Sequence, residues 1–395
     1  MSAVLVAVGW LWIFVVATLV LLLLVEVLAG YRFRSEPPPS GLQPPPYVVL
    51  MPAHNEAGAI TATVEAVRKQ LSAAARLLVV ADNCSDGTAA EARAAGAEVI
   101  ERTNPVLRGK GYALAFGVDH LRRSPPQVVL VLDADCIPAP GALDLLALQA
   151  ARLQRPAQAL YLMLAPPDSP LRVRMGAFAW TLRNQVRPLG LHRLGLPCQL
   201  MGSGMAFPWS CMETADFASG HLAEDLQLGL KLADAGQPPQ FCPQACVESW
   251  FPESQGGLDS QRKRWEHGHL SMIVGAVPAT LWRGLRSGRA GAVALALDLC
   301  IPPLALLSVM VALSCAFGAW MAGMGQAGQV AAVSALGSAL AFTGTVLLAW
   351  WSAGRRWVSF TELVLAPVYV LRKLPVYASF VLRRQKEWVR TSRHR

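Results

Sequence analysis

Residues 128–136 read VVLVLDADC, an apolar run that stops on two acids, Asp133 and Asp135. The run suits a buried strand. Side chains two apart on a strand share a face, so both carboxylates are predicted to enter one crevice at its C-terminal end. Like charges held this close repel unless a cation or donor relieves them. A hard divalent ion answers that need, since it takes few protein carboxylates and completes its shell with substrate phosphates. A polar turn is the competing reading.

Two upstream segments share the pattern. VVLMPAHNEAG (48–58) runs into Pro52, His54, Asn55 and Glu56, and LLVVADNCSDGTA (77–89) into Asp82, Asn83, Ser85 and Asp86. The second loop reads as a turn with a helix N-cap, which leaves Asp82 able to hydrogen-bond a nucleobase. The runs YVVLM, RLLVVAD, AEVIE, QVVLVLD and ALYLML alternate with helical segments at 57–71, 86–95, 110–123 and 141–153. Strand–helix alternation at this spacing predicts an α/β fold with a mostly parallel sheet. Such sheets bind ligands at the carboxyl ends of their strands.

The rest of the chain is too apolar for an ordinary soluble protein. Hydrophobic residues make up 53% and charged residues 15%, which implies membrane segments. A net charge of +9 suits nucleic acid or a cytoplasmic membrane face, and the basic tail at 383–395, behind an apolar stretch, favours the membrane. Residues 4–25 form an unbroken apolar run long enough to span, and Arg32 and Arg34 place its C-terminal side in the cytoplasm. Glu26 is expected at the interface. PPPSGLQPPP (37–46) reads as a stiff spacer. Two further spans are expected at 290–320, kinked by Pro302 and Pro303, and at 327–351. Residues 358–371 suit an interfacial or re-entrant helix. Asp298 inside the first of these spans is either functional or close to the cytoplasmic interface. The eight cysteines form no zinc spacing, Cys242 and Cys246 included, and read as reduced thiols.

Three more motifs carry possible chemistry. LRGKGYALAF (107–116) sets Lys110 at a helix start, where phosphate or sugar binds; its spacing is not that of a P-loop. Glu224 and Asp225 open a predicted amphipathic helix, as dipole-compensating acids or as a general base. QRKRWEHGHL (261–270) puts Gln261, Arg264 and Trp265 on one helix face, suited to a membrane surface or to a diphosphate.

The ordered set PAHNE, DNCSDGT, DAD, ED and QxxRW resembles the membrane-anchored family 2 glycosyltransferases, the group holding cellulose, chitin, hyaluronan and poly-N-acetylglucosamine synthases. It covers roughly residues 47–285. The resemblance implies a GT-A fold: a nucleotide-sugar-binding, mostly parallel sheet in a cytoplasmic domain with flanking transmembrane helices. It implies inverting, metal-dependent hexosyl or N-acetylhexosaminyl transfer from a nucleotide-sugar, UDP-sugar favoured. By the same resemblance Asp82 meets the base, Asp133 the nucleotide–sugar end, Asp135 a Mg²⁺ or Mn²⁺ ion, and Asp225 is the catalytic base. Pro52, His54, Glu56 and Lys110 join the donor site, and Glu224, Gln261, Arg264 and Trp265 border acceptor and diphosphate. MGSGMAF (201–207) takes the place of a loop near the acceptor.

The expected domains are an anchor at 1–30, a linker at 31–46, the GT-A domain at 47–255 and interface helices at 256–288. Two transmembrane helices at 289–352 and an interfacial segment with a basic tail at 353–395 follow. The expected product is a growing polysaccharide or lipid-linked glycan made at the cytoplasmic face of the inner membrane. The alternative is single-sugar transfer to a polyprenyl phosphate or glycolipid. Membrane lipids, an export partner or a homo-oligomer are expected partners, and nucleic acid is not. Ala223, where polymerases of the group often carry Thr or Gly-Asp, and the small membrane region depart from the pattern. A pyrophosphorylase-like enzyme would need neither QRKRW nor the spans, and an inactive scaffold would not keep the acids.

Overall fold

The computed structural model describes residues 2–32, 43–218, 222–252 and 254–382. The linker up to residue 42, with Arg34, and the basic tail from 383 lie outside the described residues. The chain divides into two compact units. One holds residues 43–166 and 196–296 of the described chain, and the other 2–32, 167–195 and 297–382.

The first unit is built on one sheet. Its strands are β1 (Tyr47–Ala53), β2 (Ala75–Asp82), β3 (Glu98–Arg102), β4 (Val128–Val131), β5 (Ile137–Pro138), β6 (Ala157–Leu164), β7 (Met205–Pro208) and β8 (Gln240–Trp250). Their order is β3-β2-β1-β4-β7-β6-β8-β5. The four strands β3, β2, β1 and β4 run parallel. Val48, Leu50, Leu78, Val80, Val129 and Val131 pack one continuous core with the Lys110–Leu121 helix. Burial on both faces is why these strands read as apolar runs rather than alternations.

The other half departs from the parallel expectation. β7 is antiparallel to both β4 and β6, and β5 is antiparallel to β8. The sheet is therefore mixed. The four expected helices form at Ile60–Arg68, Thr88–Ala94, Lys110–Leu121 and Ala142–Leu153.

The second unit contains three helices long and apolar enough to cross a membrane: Val4–Gly30, Leu304–Met324 and Gln326–Gly354. The expected span at 290–320 is corrected. The chain forms a helix at Ala290–Cys300, breaks, and restarts at Leu304 with Pro303 as its N-cap. Two consecutive prolines supply no N–H, and each restricts the residue before it, so the helix breaks rather than kinks. At 358–371 the structure has only short helices, Phe360–Val364 and Ala366–Leu371. Phe360, Val364, Val368 and Leu371 there are exposed.

Between β6 and β7 the chain makes a helical excursion, Leu171–Thr181 and Arg187–Arg193 joined by a π turn, which belongs to this second unit. Its arginines anchor it. Arg187 donates from Nε to Glu26 Oε2 at 2.6 Å and from Nη2 to the Asp298 carbonyl at 2.7 Å, and pairs with the Asp298 carboxylate. Arg174 pairs with Glu362. Glu26 is 5% exposed, and its carboxylate is paired with Arg187 within the protein rather than left to water. Asp298 lies on the Ala290–Cys300 helix, outside the three candidate spans, in the same cluster.

Candidate active site

The parallel register sets the site. Ala53 pairs with Ala81, Leu50 with Val131 and Asp82 with Arg102, so the loops after β1, β2, β3 and β4 emerge along one edge. The first two loops are stitched together. His54 Nδ1 lies 2.7 Å from the Asp82 carbonyl, Asn55 Oδ1 accepts from the Ser85 N–H at 2.7 Å, and the Glu56 N–H donates to Thr88 Oγ1 at 2.8 Å. Pro52 sits in β1 opposite Val80. These bonds give His54, Asn55 and Glu56 a positioning role at the mouth of β2.

Asp82 ends β2, 6% exposed. Its Oδ1 accepts from Arg102 Nη1 at 2.6 Å and from Asn83 Nδ2 at 3.0 Å. Asn83 holds a left-handed φ of 52°. Its own Oδ1 accepts from the Asn104 N–H at 2.7 Å.

Asp133 and Asp135 lie beyond the end of β4, in a turn closed by the Cys136 N–H donating to the Asp133 carbonyl at 3.0 Å. The strand-face expectation is corrected, since it is the turn that brings the acids together. One ligand atom from each of Asp133, Asp135 and Cys136 lies within 4.8 Å of the others. Two half-buried carboxylates suit a hard ion such as Mg²⁺ or Mn²⁺. Cys136 is fully buried. Burial, with Asp135 and Asp133 beside it, pushes its thiol well above the usual range, so it remains a thiol beside the carboxylates.

Lys110 joins this cluster to the predicted base. Its ammonium pairs with Asp133 and donates to the Gly202 carbonyl at 2.6 Å. Burial opposes its charge, but the fields of Asp133, Glu224 and Asp225 outweigh that and raise its pKa. Glu224 and Asp225 occupy the first turn of the Glu224–Asp234 helix. Asp225 Oδ1 accepts from the Leu226 N–H at 2.9 Å. Asp225 Oδ2 lies 3.5 Å from where a Gly202 Cβ would stand, and Gly202 holds a φ of +90°. Burial and then the Asp225 charge push the Glu224 carboxyl up to about 7, against the pull of Lys110. A pocket opens here, lined by Lys110, Gly202, Met205, Phe217, Glu224, Asp225 and Leu228 among others.

Glu224 binds its proton more tightly in the folded chain than in the unfolded one. Stability therefore falls as pH rises from the ordinary carboxylate range through about 7, and above that the whole cost is present. Glu224→Gln removes it. The melting-temperature advantage of Glu224→Gln over the parent is expected to grow between about pH 5 and pH 8; an advantage independent of pH would place that proton elsewhere.

Gln261, Arg264 and Trp265 lie on the Gln255–Gly275 helix, Gln261 buried and the other two half-buried. A Cβ on Gly268 of this helix would stand 3.2 Å from the Ala223 Cβ and 3.4 Å from the Leu222 backbone. Gln261, Arg264 and Gly268 share a face at i, i+3 and i+7. That face therefore approaches the segment leading into Glu224 and Asp225.

The sequence reading missed Arg102 and Gln158, and took Ser203 only as part of the MGSGMAF loop. Ser203 Oγ accepts from the Asp133 N–H at 3.0 Å. Gln158, fully buried in β6, donates to the Ser203 carbonyl at 3.0 Å and accepts from the Met201 N–H at 2.8 Å. It holds the loop that touches Lys110, Asp133 and Asp225. The available signal was a polar residue inside an apolar run, which must find partners when buried. Gln158→Leu leaves those loop groups unpaired. It is expected to destabilise the chain by ~1–3 kcal/mol and to lower kcat. A melting temperature equal to the parent's would show that the loop does not depend on it.

A mixed sheet with a clustered acid edge and a helix-borne carboxylate pair over a pocket defines a GT-A sugar-nucleotide transferase architecture. The chain belongs to the family described as "Glycosyltransferase like family 2", whose profile matches residues 44–268. No curated protein matches the chain in sequence. Among solved structures it is similar to the mannosyltransferase PcManGT from Pyrobaculum calidifontis, in complex with GDP-Man and Mn²⁺. The TM-score is 0.54 at 17% identity, covering 96% of this chain and 100% of that one. A glucosyl-3-phosphoglycerate synthase from Mycobacterium tuberculosis, with Mn²⁺, UDP and phosphoglyceric acid, matches with a TM-score of 0.36 at 17% identity, over 56% of this chain and 77% of that one. At this identity the first likeness concerns the fold.

Proposed function

We propose that this chain is an inverting, metal-dependent glycosyltransferase that moves a sugar from a nucleotide-sugar to an acceptor at the cytoplasmic face of a membrane. The observation that carries the proposal is the convergence of Asp133, Glu224 and Asp225 on Lys110, with Asp135 in the adjoining turn. Asp225 takes the proton of an acceptor hydroxyl in the pocket. The hydroxyl oxygen attacks the anomeric carbon from the face opposite the nucleotide, the bond to the diphosphate oxygen breaks, and the carbon inverts. Lys110 and Arg264 supply positive charge to the departing diphosphate. Asp135, with Asp133 beside it, would hold Mg²⁺ or Mn²⁺, which when bound offsets phosphate charge. Asp82 meets the nucleobase.

Arg32 after the first candidate span, and Arg355 and Arg356 at the end of the third, suit a common cytoplasmic side. The exposed apolar residues at 360–371 suit the membrane interface. Three candidate spans among the described residues make a small membrane unit. This favours a lipid-linked product, one sugar or a short glycan, over a self-contained polymer channel of the cellulose or hyaluronan synthase kind. Membranes carrying the protein, incubated with a panel of UDP- and GDP-sugars, should give a single added sugar or a short lipid-soluble series. A ladder of long water-soluble oligomers would instead support the polymerase reading, and no transfer from any donor would end both. Asp135→Ala should weaken nucleoside diphosphate binding by tenfold or more in Mg²⁺ or Mn²⁺ and remove its sensitivity to EDTA. Unchanged binding with and without EDTA would remove the metal assignment.

A further inference from the structure

The turn after β4 carries a donor atom that the proposed transfer does not use. The Cys136 thiol donates to Asp135 Oδ1 at 3.7 Å, and one ligand atom each from Asp133, Asp135 and Cys136 falls within 4.8 Å of the others. That spacing has a meaning in coordination geometry. A tetrahedral ion with a metal–sulfur bond of ~2.3 Å and a metal–oxygen bond of ~2.0–2.2 Å sets those two ligands about 3.6 Å apart. The sulfur and the carboxylate oxygen already stand at that separation.

The sulfur is held there from behind. Cys136, Tyr161 and Ser249 are 0%, 6% and 0% exposed. Tyr161, on β6, places its hydroxyl oxygen 3.7 Å from Cys136 Sγ and 2.9 Å from Ser249 Oγ on β8. A sulfur bound to an ion only accepts, and the Tyr161 O–H can donate to it while accepting from Ser249. Partners of this kind orient a ligand and strengthen its bond to the metal. The backbone is fixed on both sides as well. The Cys136 N–H donates to the Asp133 carbonyl at 3.0 Å, and Ile137 pairs with Glu248 of β8.

Ions divide over such a donor set. Mg²⁺ is hard, asks for octahedral oxygen and passes over sulfur, so the carboxylates serve it alone. Zn²⁺ and Cd²⁺ take sulfur and oxygen together. The two carboxylates draw the cation in, and as the sulfur binds it the thiol proton passes to water.

Resting on the reading of Asp133 and Asp135 as the metal edge, we infer that Cys136 is a third ligand at this site for thiophilic divalent ions such as Zn²⁺ and Cd²⁺, which compete there with Mg²⁺ or Mn²⁺. The test follows Mn²⁺ bound to the full chain in detergent by electron paramagnetic resonance while Cd²⁺ is added. The sulfur-to-cadmium charge-transfer absorption is read on the same sample. Cd²⁺ should release Mn²⁺, and the absorption should rise in step with that release. In Cys136→Ala the coupled absorption should be lost and the Cd²⁺ concentration for half release should rise tenfold or more, while the Mg²⁺ concentration for half release stays the same. Release of Mn²⁺ by Cd²⁺ without the absorption in the parent chain overturns the inference, whether or not the variant folds. Absorption that rises with Mn²⁺ still bound overturns it too, since the sulfur then belongs to another site. A folded Cys136→Ala that keeps the coupled absorption overturns the role of Cys136. A parent chain that binds no Mn²⁺ would instead strike the metal reading itself, and the inference with it.

Discussion

Asp225→Asn is expected to lower kcat by ~10²–10⁴-fold, the usual contribution of a positioned general base, while nucleoside diphosphate binding changes little. The geometry makes the substitution a clean one. Asp225 Oδ1 accepts from the Leu226 N–H within its own helix. An asparagine keeps that oxygen and so keeps the helix start. Oδ2, on the side of Gly202 and Lys110, becomes an amide nitrogen that cannot accept a proton. Glu224 stands beside Asp225 in the first turn of the same helix, so the residual rate of the variant measures how far that carboxylate substitutes. The measurement is single-turnover transfer with saturating donor, paired with diphosphate binding. Transfer near the parent rate would place the base elsewhere. Loss of both rate and binding would show that Asp225 serves the donor rather than the acceptor.

This prediction rests on residues that the sequence made visible, and the reason is physical. A parallel strand buried on both faces must be apolar throughout, so the polar residues ending β1, β2 and the run through Leu132 stand out against it. Asp82, Asp133 and Asp135 were legible for that reason. The order DAD, then ED, drew attention to Asp225, whose role as base belongs to the proposed function. The antiparallel half was harder to read. β7 is only Met205–Pro208, and β8, QFCPQACVESW, carries a proline and a register shift against β6 between Ala159 and Leu160. Pairing partners of such segments are set by tertiary packing, not by a period. Arg102 and Gln158 were missed because their meaning lies in a partner across the sheet. Arg102 only matters once β3 is placed beside β2 with Asp82 opposite it.

The excursion at 171–193 was obscured by its own charges. Arg172, Arg174, Arg183, Arg187 and Arg193 lower its apolar content. The acids that pair with Arg174 and Arg187 sit far away in sequence, at Glu362, Glu26 and Asp298. Hydropathy read along the chain assigns such arginines to water. The fold assigns two of them to carboxylates of the apolar unit.

Arg187→Met should therefore be strongly destabilising in that unit. Arg187 is 6% exposed, Glu26 5% and Asp298 6%. One guanidinium serves two carboxylates: Nε donates to Glu26 Oε2 at 2.6 Å, and Nη2 pairs with the Asp298 carboxylate and donates to the Asp298 carbonyl at 2.7 Å. Removing the cation leaves two acids buried together with nothing to offset them, a loss of roughly 3–5 kcal/mol when a buried pair is broken from one side. That is a large share of the ~5–15 kcal/mol that holds a typical fold together. The melting temperature in detergent is expected to fall by ten degrees or more, or folded protein to be lost. Arg174→Met supplies the contrast. Its pair with Glu362 has side chains 34% and 24% exposed, and water screens it, so its loss should cost no more than about 1 kcal/mol. The decisive variant is the triple change Arg187→Met, Glu26→Gln and Asp298→Asn. If uncompensated charge is the cause, neutralising both acids recovers much of the lost stability, since a buried ion cluster replaced as a set costs far less than one broken from one side. A triple variant no more stable than Arg187→Met alone would mean that the arginine acts through its packing and its bond to the Asp298 carbonyl rather than through its charge.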